Sequence, residues 1–118
     1  MAKILVTDDS MFMRRTLGTI LKKLNHEVCE ASNGEEMLKV YEIEKPDLVT
    51  LDITMPIMDG LAALKALKQV HPEAKVVMCS AMGQKAMVLE AVQNGAFDFI
   101  VKPFQEDRIA ETMARAMS

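Results

Sequence analysis

Five short apolar runs alternate with five segments whose apolar residues recur at helical spacing, and this alternation constrains the fold more than any other feature. The apolar runs predict strands at residues 3–7, 27–31, 48–51, 75–79 and 97–101. The other segments predict helices at residues 10–25, 34–43, 59–70, 83–93 and 105–117. Alternating strands and helices form a parallel sheet with right-handed crossovers and helices on both faces. The sequence therefore predicts a doubly wound α/β fold with a five-stranded parallel sheet.

Details of the helices follow from the same pattern. In the last helix, Ile109, Met113 and Met117 are predicted to face inward. Asn94-Gly95 is predicted to end the fourth helix, because glycine readily takes the left-handed conformation that commonly closes a helix. His26 and His71 lie in predicted loops and are expected to be solvated, with no partner side chain.

Length and charge exclude several kinds of protein. The 118 residues suit one domain spanning 1–118, and the net charge of −3 does not favour a nucleic-acid partner. No apolar run approaches the length of about 20 residues that spans a bilayer. Cys29 and Cys79 form no paired motif and indicate buried thiols in a cytoplasmic protein. We expect a monomer. Because no output domain follows Ser118, we expect the output to be protein–protein contact.

Polar side chains lie at the ends of four of the five predicted strands. Asp8 and Asp9 follow the first strand, Asp52 the third, Ser80 the fourth and Lys102 the fifth. In sheets of this kind, ligands bind outside the carboxyl ends of the strands, where the strand order reverses. We therefore expect these five side chains to meet at one edge of the sheet.

Three carboxylates at one edge require a proton or a cation. Two carboxylates about 4 Å apart repel by about 4 kcal/mol at an effective dielectric near 20. Oxygen ligands suit Mg²⁺, Mn²⁺ or Ca²⁺, and an incomplete carboxylate cage is typical of Mg²⁺ that also binds phosphate oxygens. Taken alone, Asp8-Asp9 before a helix is more often a cap with a first-turn charge.

A cation with Ser80 and Lys102 would form an electrophilic clamp for a phosphoryl group. Taken singly, a serine at a strand end is usually a turn residue, and a lysine there is usually solvated. Together with the acids, they favour an aspartate nucleophile that forms an acyl phosphate. Asp52 is the best candidate, since it ends a central strand between the other groups.

Together these residues resemble the receiver domains of two-component response regulators, in particular the free-standing chemotaxis members. The resemblance covers the whole chain, and its motifs are Asp8-Asp9, Asp52, Ser80-Ala81 and Lys102-Pro103-Phe104 within DDSMFMRR, DITMPIMDG, SAMGQ and NGAFDFIVKPF. It implies a flavodoxin-like fold with strand order 2-1-3-4-5. It also implies that Asp52 accepts phosphate from a histidine kinase's phosphohistidine.

The resemblance further implies a ligand set for Mg²⁺, for which Mn²⁺ would substitute. Asp9, Asp52 and the backbone carbonyl of Thr54 would bind the ion, and Asp8 would act mainly through bound water. No organic cofactor is expected.

Other residues receive roles from the same resemblance. Ser80 would donate a hydrogen bond to the phosphoryl group and move toward it, and Lys102 would bind a phosphoryl oxygen. The peptide bond before Pro103 would be cis, and Pro56 and Gly60 would shape the loop after Asp52.

Phe99 takes the position of the switch aromatic, where many chemotaxis members carry tyrosine. In that role its ring would move when Ser80 moves. The position is equally typical of an aromatic residue that only fills the edge of a strand. Ser80 replaces the commoner threonine. Met82 lies at a position that tunes hydrolysis of the acyl phosphate, and it cannot orient water by a hydrogen bond, which predicts slow self-dephosphorylation.

The expected partners by resemblance are a histidine kinase, an effector such as a flagellar motor switch component, and a phosphatase. The chain would catalyse only its own phosphorylation and dephosphorylation. A phosphorelay intermediate that passes phosphate to a histidine phosphotransfer protein is the main alternative. An aspartate-nucleophile phosphatase and a flavin-binding module remain as alternatives of other classes.

Overall fold

Strands and helices alternate along the whole chain in the computed structural model, which describes residues 1–81 and 84–118. The strands are β1 (Lys3–Thr7), β2 (Glu27–Ala31), β3 (Leu48–Asp52), β4 (Val76–Ser80) and β5 (Asp98–Val101). The helices are α1 (Met11–Lys23), α2 (Gly34–Glu44), α3 (Gly60–Val70), α4 (Lys85–Gln93) and α5 (Glu106–Met117). The predicted start of the fourth helix at Gly83 and the prediction for Met82 lie outside the described residues.

All five strands pair in parallel in the order β2-β1-β3-β4-β5, which confirms the predicted sheet and strand order. In the register, Thr7 lies beside Leu51, and Asp52 lies beside Cys79. Ser80 lies beside Val101. The residues that end β1, β3, β4 and β5 are therefore at the same edge of the sheet.

Two hydrophobic clusters fix this register by covering the two faces of the sheet. Ile4 and Val6 of β1 pack with α1 and α5, whereas Leu5 packs on the opposite face with α2, α3 and α4. Since neighbouring strand residues point to opposite faces, a slip of one residue would expose one apolar set and bury polar groups in its place. Among the described helices, none combines the length and the apolar character needed to cross a membrane.

Several element boundaries differ by one residue from those predicted. Ser10 and Asp59, predicted as helical, are instead the N-caps of α1 and α3, where each side chain accepts a hydrogen bond from a first-turn backbone N–H. Gln105 likewise precedes α5. β3 and β4 each extend one residue further than predicted, so Asp52 and Ser80 belong to the strands.

The inward position of Met117 was predicted wrongly. Its side chain is 38% exposed, while Ala116 is fully buried. Because an α-helix has 3.6 residues per turn, Ala116, seven positions after Ile109, comes about two full turns later and faces the same way, whereas one residue more rotates away from the sheet.

The two histidines are less solvated than expected, because each is only partly exposed and each has a partner in the fold. The ring of His71 lies 4.8 Å from that of Tyr41, and its Nε2 is 2.5 Å from Oε1 of Glu42. Nδ1 of His26 accepts a hydrogen bond from the backbone N–H of Ala2. These partners are distant in sequence and meet only because the fold brings the ends of separate elements together.

Candidate functional site

Three carboxylates converge at the carboxyl edge of the sheet. Carboxylate oxygens of Asp8, Asp9 and Asp52 all lie within 4.8 Å of one another. Asp8 and Asp52 are buried and Asp9 is exposed. They meet because β1 and β3 are neighbouring parallel strands that end at the same level. This confirms the convergence expected from the sequence.

Hydrogen bonds occupy both carboxylate oxygens of Asp8. Oδ1 accepts from the backbone N–H of Ser10 at 2.9 Å, and Oδ2 accepts from Nζ of Lys102 at 2.9 Å. The backbone N–H of Asp8 donates to the carbonyl oxygen of Ala31. Asp8 is thus held in place with both carboxylate oxygens engaged, which favours contact with a cation through water over direct ligation.

Arg14 holds the same loop, and the sequence gave no indication of this. Its Nη1 donates to the carbonyl oxygen of Asp8 at 2.7 Å, and its Nε donates to Oε1 of Glu30 on β2 at 3.0 Å. Glu30 is distant in sequence and lies outside the quoted motifs, and although Arg14 belongs to the stretch DDSMFMRR, nothing in that stretch indicates this contact. Arg14 and Glu30 meet only because β2 pairs with β1 in the sheet.

Lys102 lies between the two buried acids. Its Nζ is 3.3 Å from Oδ1 of Asp52, in addition to its bond with Asp8. The backbone N–H of Lys102 donates to the carbonyl oxygen of Ser80 at 2.7 Å, and the bond to Pro103 is cis, as expected. The ammonium group is therefore next to the atom expected to be phosphorylated.

Burial disfavours the ionised form of Asp52. Burial, followed by the charge of Asp8, raises the pKa of Asp52 to about 6, against the opposing effect of Lys102. For Lys102, burial lowers the pKa, but the contacts with Asp8 and Asp52 outweigh this effect and leave the pKa raised. One lysine thus only partly compensates the acids, and a divalent cation would supply the remaining charge.

The ligand atoms fit a hard divalent cation. The cluster offers only carboxylate oxygens, the donors that Mg²⁺ and Mn²⁺ prefer. With Asp8 engaged by Ser10 and Lys102, the residues of the cluster that would hold Mg²⁺ are Asp9 and Asp52.

Asp9→Ala is expected to weaken Mg²⁺ binding by about tenfold or more, because it removes one of the few charged ligands while leaving the buried hydrogen bonds of Asp8 intact. Calorimetric titration with Mg²⁺ measures the effect. Glu111→Ala removes an equal charge from an exposed position on α5 and serves as the matched control. An Asp9→Ala titration that matches the wild type would remove Asp9 from the ligand set.

Ser80 and Phe99, the two predicted switch residues, border one groove beside α4. Ser80 is buried at the end of β4, and Phe99 is half-buried on β5. The groove has a volume of about 400 Å³ and is lined by both residues, with Val88 and Leu89 from α4. A movement of Ser80 would therefore open space next to the ring of Phe99.

Gly60 shapes the loop after Asp52, in agreement with its predicted role. Its backbone N–H donates to the carbonyl oxygen of Ile53 at 2.7 Å, and a Cβ atom here would lie 2.2 Å from the carbonyl oxygen of Asp52. Only glycine permits this close approach. Pro56 is exposed in the same loop, beside Ile57, whose positive φ of 70° the sequence did not indicate.

The fold and the site together define a class. The order 2-1-3-4-5 places an acid pair, a buried acceptor carboxylate and a lysine at one edge. Residues 4–114 match the family model for the response regulator receiver domain, and the chain belongs to that family. It is a phosphorylation-activated signalling switch of the two-component type, and the flavin-binding and phosphatase alternatives are not favoured.

Individual proteins that are similar to the chain include chemotaxis proteins and other receiver domains. The chain is 56% identical to the chemotaxis protein CheY of Listeria monocytogenes, over 98% of both chains. It is 51% identical to CheY of Bacillus subtilis, again over 98% of both. The receiver domain of NtrX from Brucella abortus superposes with a TM-score of 0.93 at 39% identity, over 97% of both chains. A CheX–CheY–BeF₃–Mg²⁺ complex from Borrelia burgdorferi matches with a TM-score of 0.92 at 33% identity, over 98% of this chain and 89% of that one.

Proposed function

We propose that this domain switches a chemotaxis response when Asp52 accepts a phosphoryl group. The observation that supports the proposal best is the buried Asp52 carboxylate with Lys102 Nζ at 3.3 Å and Asp9 beside it. The names of the most similar curated relatives favour chemotaxis over a phosphorelay.

The reaction is a transfer between a histidine nitrogen and a carboxylate. An oxygen of ionised Asp52 attacks the phosphorus of a kinase's phosphohistidine, the P–O bond forms, the P–N bond breaks, and the imidazole nitrogen leaves with its electron pair. Lys102 holds a phosphoryl oxygen, and Ser80 donates its hydroxyl to another. Mg²⁺ held by Asp9 and Asp52 would neutralise charge at the acids and the phosphoryl group. In this proposal the domain catalyses only its own phosphorylation and dephosphorylation.

The cluster of acids beside Asp52 also supports a phosphorylated state that contains Mg²⁺. The Borrelia relative was crystallised with BeF₃, Mg²⁺ and CheX. By analogy, we propose that this domain takes up Mg²⁺ with its phosphoryl group and that a phosphatase binds it in that state. A histidine kinase supplies the phosphate, and a flagellar switch component is the effector.

Incubation with a small phosphodonor and Mg²⁺ tests the proposal. We expect intact-protein mass spectrometry to show one added phosphoryl group on the wild type and none on Asp52→Asn or in the presence of a chelator. Asp47→Asn, at the opposite edge of the sheet, should be modified like the wild type. Phosphate that maps to another side chain, or that appears equally on Asp52→Asn, would contradict the proposal.

A further inference from the structure

The side chain of Gln84 joins the loop that follows β3 to the residue that follows β4. Its Oε1 accepts a hydrogen bond from the backbone N–H of Ala81 at 2.7 Å, and its Nε2 donates to Oγ1 of Thr54 at 2.9 Å. One carboxamide therefore connects the loop after β3 with the segment that leads from β4 into α4, using both of its ends.

With this contact, Gln84 does not make the hydrogen bond that an N-cap side chain usually makes. Gln84 is the N-cap of α4, yet its side chain forms no hydrogen bond with the first turn of that helix. N-cap side chains commonly satisfy those free N–H groups and so stabilise the start of the helix. Gln84 instead connects the start of α4 to the phosphoacceptor loop.

The bridge lies at the mouth of the site. Asp52 and Cys79 are side by side in the sheet, Thr54 follows the first by two residues, and Ala81 follows the second by two. A phosphoryl group on Asp52 would introduce three strong acceptor oxygens at this place. The Ala81 N–H is a single donor at the same edge, and one N–H makes one well-directed hydrogen bond.

We propose that Gln84 is a positioning residue that latches the unphosphorylated state. The carboxamide holds Ala81 N–H and the Thr54 hydroxyl, and the phosphoryl group competes with Oε1 for the Ala81 N–H. Displacement of Gln84 frees the first turn of α4 from the loop after Asp52. The proposal rests on the assignment of Asp52 as acceptor.

The latch connects the acceptor to the groove beside α4. Gln84 lines that groove together with Ser80 and Phe99. A ligand shifts a conformational equilibrium only through its preference for one state. Competition for the Ala81 N–H supplies such a preference, since the latched and the phosphoryl-bound arrangements use the same donor.

Beryllofluoride, an anionic analogue of a phosphoryl group, tests the latch at saturating Mg²⁺. Gln84→Ala is expected to bind it about three- to tenfold more tightly than the wild type, because it has no bond to Ala81 to break. Gln93→Ala, at the far end of α4, is the matched control and should bind like the wild type. In NMR spectra, the Ala81 amide should differ between free wild type and free Gln84→Ala and should coincide when both are loaded.

A double-mutant cycle separates the latch from a merely structural role. Thr54→Val removes the hydroxyl that anchors Nε2, and we expect it to tighten binding less than Gln84→Ala and to add nothing to it in the double variant. Unchanged or weaker binding by Gln84→Ala, or additive effects in the cycle, would overturn the latch. If wild type itself failed to bind beryllofluoride with Mg²⁺, the assignment of Asp52 would fail instead.

Discussion

Asp52→Asn is expected to be more stable than the wild type at pH 7 without divalent cations. The folded protein holds the Asp52 pKa at about 6 against an ordinary value of 3.8, so the ionised carboxylate opposes folding. At 1.36 kcal/mol per unit, the gain in free energy of unfolding is at most about 3 kcal/mol. Asparagine keeps the size of the side chain and removes its charge. Chemical denaturation of both proteins measures the difference.

The pH dependence of this gain has a defined sign. Because the folded-state pKa is raised, wild type and variant should match below pH 3.8, where Asp52 is protonated in both folded and unfolded chains. The advantage of asparagine should grow between pH 3.8 and about 6 and stay constant above that. Mg²⁺ should reduce it by stabilising the wild type. An advantage that decreased as the pH rose would show that burial does not control this carboxyl.

Gly60→Ala is expected to destabilise the fold by about 3 kcal/mol or more and to weaken Mg²⁺ binding. The added Cβ would lie 2.2 Å from the carbonyl oxygen of Asp52 and 2.7 Å from the Cα of Ile53. These are backbone atoms of the acceptor residue and of the residue after it, and they cannot rotate away. The strand end must therefore move, and the acceptor carboxylate moves with it.

Gly18→Ala is the matched control for this substitution. Gly18 lies within α1, and its added Cβ would be 3.6 Å from a methyl carbon of Val28, an ordinary contact. Since alanine is a better helix former, this variant should gain about 0.5–1 kcal/mol. Thermal denaturation of both variants, with Mg²⁺ titration, measures the contrast. A Gly60→Ala protein as stable as the wild type would mean that the loop after Asp52 tolerates a side chain.

Much of the site could be predicted because parallel strands end at a common edge. Asp8, Asp9, Asp52, Ser80 and Lys102 each follow an apolar run, and this position alone brings them together once the strands are parallel. The number of residues that separate these side chains in the sequence plays no part in this prediction. The expected resemblance to receiver domains rested on the same residues, and the family match confirms it.

The contacts that hold the site in shape were not predictable in this way. Arg14 on α1 donates to Glu30 on β2, and Gln84 at the start of α4 donates to Thr54 in the loop after β3. Each pair joins residues with no common period or motif. The capping role of Ser10, which shortened the predicted helix, likewise depends on local backbone angles and not on hydrophobic spacing.

The sequence by itself determined the order of strands and helices, the parallel arrangement and the identity of the acids at its edge. These follow from the period of apolar residues and from where polar residues interrupt it. Only the tertiary structure decided that Asp8 is fully hydrogen-bonded, that the Asp52 pKa is raised, and that Gln84 ties α4 to the acceptor loop. Burial and hydrogen-bond partners depend on distances between residues far apart in the chain, and periodicity carries no information about them.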